Sequence, residues 1–170
     1  MKILFPIICA SAMFLAIGCG TPPKTIEEFR DQASKSSWVE TLDYDVPNAS
    51  LTEVKQRLKK FANKCLRMEV NATCRGPGAC VTGPSGTATY TPKITATPKQ
   101  VTLSVQQLWT KSNVVYTSEP PKGGFFVFLT DVKVGKDSKL HGVAYAGSKS
   151  LVTAASNWAR DENHLCPNLY

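Results

Sequence analysis

The chain has 170 residues, 42% of them hydrophobic, with 20 Lys and Arg against 13 Asp and Glu, a formal charge of +7. That length suits one domain with a real core rather than several, and beyond the first residues no stretch is apolar enough to span a membrane. The basic excess favours anionic lipid, lipopolysaccharide, cell-wall polymer or an acidic protein, without choosing among them.

The N-terminus opens on Met1-Lys2, and Ile3 to Ile17 is then almost wholly apolar, broken by Pro6 and Ser11. Such a run is too short for a stable bilayer-spanning helix and suits the core of a signal peptide. It ends in Leu15-Ala16-Ile17-Gly18-Cys19. This resembles the lipobox of bacterial lipoproteins, in which a small residue precedes an obligatory cysteine. One position departs: Ala16 stands where Leu is commonest, three residues before the cysteine. The resemblance implies removal of residues 1–18 and a diacylglycerol thioether on Cys19, usually with a third acyl chain on its amine. Two or more chains anchor stably where one is marginal. Gly20 rather than Asp follows the cysteine, which in such lipoproteins favours the outer membrane over inner-membrane retention. Cleavage would leave 152 residues with a formal charge of +6, since Lys2 is lost.

Residues 19–37 read as the acylated cysteine and a tether. Pro22-Pro23 is stiff, Ser34 to Ser37 is polar, and Thr25 with Glu28 resembles a capping box that predicts a short helix over 26–33. Residues 38–170 form the expected single domain. Trp38 to Val46 alternates, with Trp38, Glu40, Leu42, Tyr44 and Val46 on one face and Val39, Thr41, Asp43 and Asp45 on the other, more polar one, as in a half-buried strand. Ser50-Leu51-Thr52-Glu53 is a capping box. Leu51, Val54, Leu58, Phe61, Ala62 and Cys65 then follow helical spacing, predicting a helix from 51 to about 66.

Residues 71–86 are rich in turn formers. Thr87 to Leu108 reads as one long stretch in which Pro92 and Pro98 require an edge or an interruption. Val114 to Thr117 is short and apolar. Gly124 to Val134 is the most apolar mature segment and predicts a central strand; 135–139 is a turn and Leu140 to Ala146 another strand. Ser148 or Ser150 caps a last helix through Arg160, with Leu151, Ala154, Ala155 and Trp158 on one face.

The order β-α-β-β-β-β-α predicts an α+β domain: an antiparallel sheet of about four to five strands with two helices on one face. It is similar to helix-grip and related sheet-with-two-helices domains, which recur in envelope lipoproteins such as the accessory lipoprotein of the barrel-assembly machinery. The likeness is architectural and carries little functional weight.

Cys9 leaves with the signal and Cys19 takes lipid, so Cys65, Cys74, Cys80 and Cys166 remain. An even count in an oxidising compartment suggests two disulfides, with three connectivities possible. Turn residues between Cys74 and Cys80 let that loop close on itself. Cys65 ends one helix and Cys166 follows the other, so helices lying side by side predict Cys65–Cys166 with Cys74–Cys80. A five-residue spacing without a second pair does not suit a metal site. His141 and His164 stand apart from any carboxylate pattern in the sequence and read as surface residues. Asp43, Asp45 and Asp131 read as solvated strand ends. No nucleophile elbow, phosphate loop or zinc-protease motif is present. No catalytic residue, metal or cofactor is therefore expected, and the chain does not read as an enzyme.

Lys55, Lys59, Lys60 and Lys64 lie off the apolar stripe of their helix. They read first as a solvated face and second as a contact for anionic head groups. Nucleic acid is not an expected partner. The sequence thus predicts a membrane-anchored envelope lipoprotein, a non-enzymatic binding or assembly module at the periplasmic face of the outer membrane, with an envelope protein or anionic lipid as partner. A carrier of lipid or another small hydrophobe is the alternative, motivated by the apolar strand facing two helices; an envelope hydrolase ranks third.

Overall fold

The computed structural model describes residues 22–37, 39–72, 86–110 and 119–167. Its elements run α1 (Ile26–Lys35), β1 (Glu40–Val46), α2 (Leu51–Cys65), β2 (Met68–Ala72), β3 (Gly86–Thr97), β4 (Gln100–Thr110), β5 (Phe125–Val134), β6 (Leu140–Ala146) and α3 (Lys149–Arg160). The strands form one antiparallel sheet in the order β1-β6-β5-β4-β3-β2. The α+β class is as expected. The count differs, with six strands and three helices in place of four to five strands and two helices.

Two differences arise in the middle of the chain. The stretch 87–108 is a hairpin, β3 and β4, which turns at Pro98-Lys99 between paired Thr97 and Gln100. Pro92 is tolerated inside β3 because β2 pairs only as far as Tyr90. Beyond that point β3 is an edge, where a missing N–H breaks no ladder. The other difference is β2 itself, five residues long and held by its pairing with β3. The short strand expected at Val114 to Thr117 lies outside the described residues.

α2 and α3 pack side by side on one face of the sheet. Each starts from a serine N-cap: Ser50 with Glu53 makes the full capping box, and the Ser148 side chain accepts from the Leu151 N–H. Arg57 of α2 donates to the Ala159 carbonyl, tying α2 to the last turn of α3. Between helices and sheet lie Val54, Leu58, Phe61, Val101, Leu103, Val105, Phe128, Val132, Ala155 and Trp158, all at 2% exposure or less. Burying each large apolar side chain contributes about 1.5–3 kcal/mol. Phe61 stacks on Trp158 with ring centroids 5.8 Å apart. Tyr44 lies flat across Gly142, where any Cβ would come within 2.2 Å of its ring. Its hydroxyl shares a 2.7 Å hydrogen bond with Thr130, and burial pushes that phenol up to about 12.

Cys65 and Cys166 form a disulfide with Cα atoms 5.2 Å apart, joining the end of α2 to the segment after α3. The bridge spans 101 residues of sequence. A loop of that size restricts the unfolded chain by about 4.7 kcal/mol in the loop-entropy model. Cys74 and Cys80 lie outside the described residues, as does Cys19.

The segment read as a tether is largely part of the domain. α1 lies on the opposite face of the sheet from α2 and α3. Thr25 caps it by accepting from the Glu28 N–H, and Phe29 and Ala33, one turn apart, are buried at 2% and 5% exposure. Pro22 and Pro23 are buried too. The Pro23 carbonyl accepts from Phe126 N–H at 3.1 Å. β6 pairs with β5 only from Phe128 onward, so Pro23 satisfies a donor the sheet leaves open.

Candidate functional site

The face beneath α1 holds a polar cluster centred on Asp131. Along β5, Phe128, Thr130 and Val132 point toward α2 and α3, so Leu129 and Asp131 point the other way. Asp131 is only 4% exposed, so it is not the solvated strand end expected from the sequence. Arg30 of α1 grips it with two bonds, Nε to Oδ2 and Nη2 to Oδ1, both 2.9 Å. Thr102 Oγ1 donates to Oδ1 at 2.5 Å and Gln100 Nε2 at 2.7 Å. A buried carboxylate is tolerable only when its lone pairs are filled in this way. The hydrogen bond to Asp131 raises the Arg30 guanidinium above its ordinary value. Tyr145, on the same face, is also raised, chiefly by burial and then by the Asp131 and Asp43 charges. The arrangement fixes a helix onto a sheet. Oδ1 accepts three of these bonds and Oδ2 the fourth.

A second cluster sits at the end of the sheet where β5 finishes. His141 Nδ1 is 2.6 Å from Asp45 Oδ1, and its Nε2 is 3.0 Å from Asp137 Oδ1. The histidine therefore does not stand apart from carboxylates as expected: it has two partners, Asp45 across the β1–β6 ladder and Asp137 four residues before it in the β5–β6 turn. The hydrogen bond to Asp137, then that to Asp45, raises the imidazole, and His141 in turn lowers Asp137. Both ring nitrogens are engaged, and among the described residues no group of three or more such side chains is arranged to hold a metal. Beside it opens a cleft of about 640 Å³, lined by Val46, Pro47, Leu51, Pro98, Val134 and Leu140 among others. His164 also has partners, Asp161 Oδ1 at 2.9 Å and the Phe61 ring at 4.8 Å between centroids.

Lys55, Lys59, Lys60 and Lys64 are all exposed on α2, and Lys60 Nζ lies 5.3 Å from the centre of the Phe61 ring. They share the outer surface of the layer opposite to α1. Asp43 and Asp45 are exposed on β1. The Asp131 cluster was hidden in the sequence because Arg30 stands 101 residues away. Its one visible signal was an acid inside an apolar strand. No family model, no curated protein and no solved structure matches the chain.

Proposed function

We propose that the chain is an exported lipoprotein, acylated on Cys19, whose domain works as a non-enzymatic binding or assembly module at the periplasmic face of the outer membrane. The observation that carries this reading is the Cys65–Cys166 bridge. A disulfide joining the end of a core helix to the segment after α3 belongs to an oxidising compartment, which is where a lipobox-type leader delivers its protein. Gly20 after the cysteine favours the outer membrane. Against the carrier alternative stands the filling of the layer between sheet and helices. Phe61, Phe128, Leu103 and Trp158 occupy the space a lipid would need.

Metabolic labelling with a clickable fatty acid tests the anchor. Wild type should label and Cys19→Ala should not, because the thiol is the acyl acceptor; equal labelling of the two would overturn the lipoprotein reading. Native mass spectrometry after mild purification tests the module. Bare protein that crosslinks to an envelope protein supports it, whereas a co-purifying lipid, beyond the covalent acyl chains, returns the carrier.

A further inference from the structure

We infer that the cleft at the end of the sheet where β5 finishes binds an extended peptide segment of a partner protein, one that presents an apolar side chain beside carboxylates. The inference rests on the binding-module reading and goes beyond it, because it names the surface and the chemistry of the partner. Every residue that lines the cleft is among the described ones.

The floor is the last row of the sheet. Val46 ends β1, Leu140 opens β6 and Val134 ends β5, and the three are paired in register. Like Val132 two residues before it, Val134 points to the α2 and α3 side. Exposure climbs along the row, from 2% at Val46 through 6% at Leu140 to 42% at Val134. The layer above covers the first two and leaves the third open. Ala49 and Leu51 at the start of α2 wall one side, and Pro98 of the β3–β4 turn walls another. A cleft of about 640 Å³ has room for a few side chains.

Both sides are fixed before anything binds, which lowers the cost of ordering them. Ser50 and Glu53 lock the first turn of α2 through their reciprocal bonds. Gly135 N–H closes the β5–β6 turn on the Lys139 carbonyl at 2.7 Å, and His141 fastens the turn through Asp137. Gly135 makes room for that ring, because a Cβ there would lie 2.4 Å from it. At the rims, exposed Asn48 and Ser138 offer an amide and a hydroxyl to a peptide backbone.

Charge chooses the partner. All 13 Asp and Glu are among the described residues, so every acid near the cleft is known. Asp45 and Asp137 both bond His141, and Glu53 accepts from Ser50. Toward α3, Asp161 faces Arg57 and Glu162 faces Arg160, so that side is balanced. Against Asp45, Asp137 and Glu53 stand five exposed lysines: Lys55 one turn after Leu51, Lys99 beside Pro98, Lys136 and Lys139 in the β5–β6 turn, and Lys133 on the reverse of β5. Lys139 has an acid within reach, Asp137 Oδ2 at 4.0 Å. The surroundings are therefore basic, and protonation of His141 makes them more so. A segment with carboxylates beside its apolar residue is attracted, and a basic one is repelled. A lipid fits less well, because the cleft is open on the Val134 side and cannot enclose an acyl chain.

Selection from a phage library of random twelve-residue peptides, with the full chain in mild detergent as target, tests this. Enriched peptides should set an apolar residue beside Asp or Glu. A photo-crosslinker on such a peptide should label residues 46–51 and 134–140. Affinity should fall about tenfold in Val134→Asp. It should fall several-fold in the double variant Lys136→Glu with Lys139→Glu, which touches no buried group, and thermal melts of both variants check that they are folded. Label placed elsewhere on the chain, enriched peptides that are basic, or an affinity unchanged in the double lysine variant would each overturn the site while leaving the binding module standing. A library that yields no enriched peptide overturns the site as well. In that case the crosslinking to an envelope protein described above decides whether the module reading falls with it.

Discussion

One sheet here carries two faces built by different chemistry from the same strands. Along β4, Val101, Leu103 and Val105 point toward α2 and α3, whereas Thr102, Ser104 and Gln106 point toward the α1 side. Along β5 the same alternation sets Phe128 and Val132 against Leu129 and Asp131. The first face excludes water and is held by dispersion and burial, which have no preferred direction. The second face combines a smaller apolar contact, Phe29 and Ala33 of α1 with Leu129, with directed bonds to one carboxylate. Thr102, Gln100 and Asp131 are polar groups that water can solvate, so less of that face than of the first is apolar surface that needs a helix over it. The comparison teaches that α2 and α3 make the domain, while α1 is fastened to it.

The largest expected effect tests the first face. Trp158 is fully buried and stacked on Phe61. Trp158→Ala should destabilise the domain by about 3–5 kcal/mol, seen as a shift of the urea midpoint with all probes moving together. A loss below about 1 kcal/mol would mean that the layer between sheet and helices closes freely over the gap, and the contrast between the faces would lose its basis.

A smaller and more local effect should follow on the second face. Asp131→Asn keeps the shape and removes the charge that Arg30 grips. The Arg30 side chain is 31% exposed and can turn to water, so the expected cost is about 1–3 kcal/mol rather than that of a stranded buried charge. The distinguishing readout is hydrogen exchange. Amides of Phe29 to Lys35 should exchange faster while those of α2 and α3 keep their protection. Uniform acceleration across all three helices would show that α1 belongs to the cooperative core, and the two-face distinction would fail.

That distinction also explains how far the sequence could be read. α2, α3, β1 and β6 were legible because each combines a strong period with a local start signal: Ser50 with Glu53, Ser148, and the alternation through Tyr44 and Val46. The Cys65–Cys166 pairing followed from placing two amphipathic helices on one face. What stayed hidden was carried by partners distant in sequence. β2 has five residues and no period of its own, and exists through its ladder with Gly86 to Tyr90. α1 has a two-residue apolar stripe, Phe29 and Ala33, too narrow to say which face it covers. Asp131 looked like a solvated acid because neither Arg30, Thr102 nor Gln100 is its neighbour in the chain.

The smallest expected effect concerns the edge of the second face, where His141 joins β1 to the β5–β6 turn. Its carboxylate partners Asp137 and Asp45 raise the imidazole above 6.5, so the folded chain holds this proton more tightly than the unfolded chain does. The resulting stabilisation is fully present below the unfolded value and fades as pH rises through the folded one. Asp137 acts in the opposite sense. It is lowered beneath 3.8, so its share is present above that value and is lost only as acid passes its folded value. The pair therefore contributes most between 3.8 and 6.5. Lys133, opposite His141 on β5, and Lys139, whose backbone N–H donates to Asp137 at 3.2 Å, also face this cluster. All three members of the cluster are exposed, so solvent screening keeps the effect small. Thermal melts of wild type and His141→Gln between about pH 5 and 8 isolate it. The wild-type advantage should be greatest at the acid end and shrink to a plateau as the imidazole deprotonates. A difference in Tm that stays constant across the range would mean that the His141 bonds do not depend on its charge. The β1 edge would then be held by its backbone ladder alone.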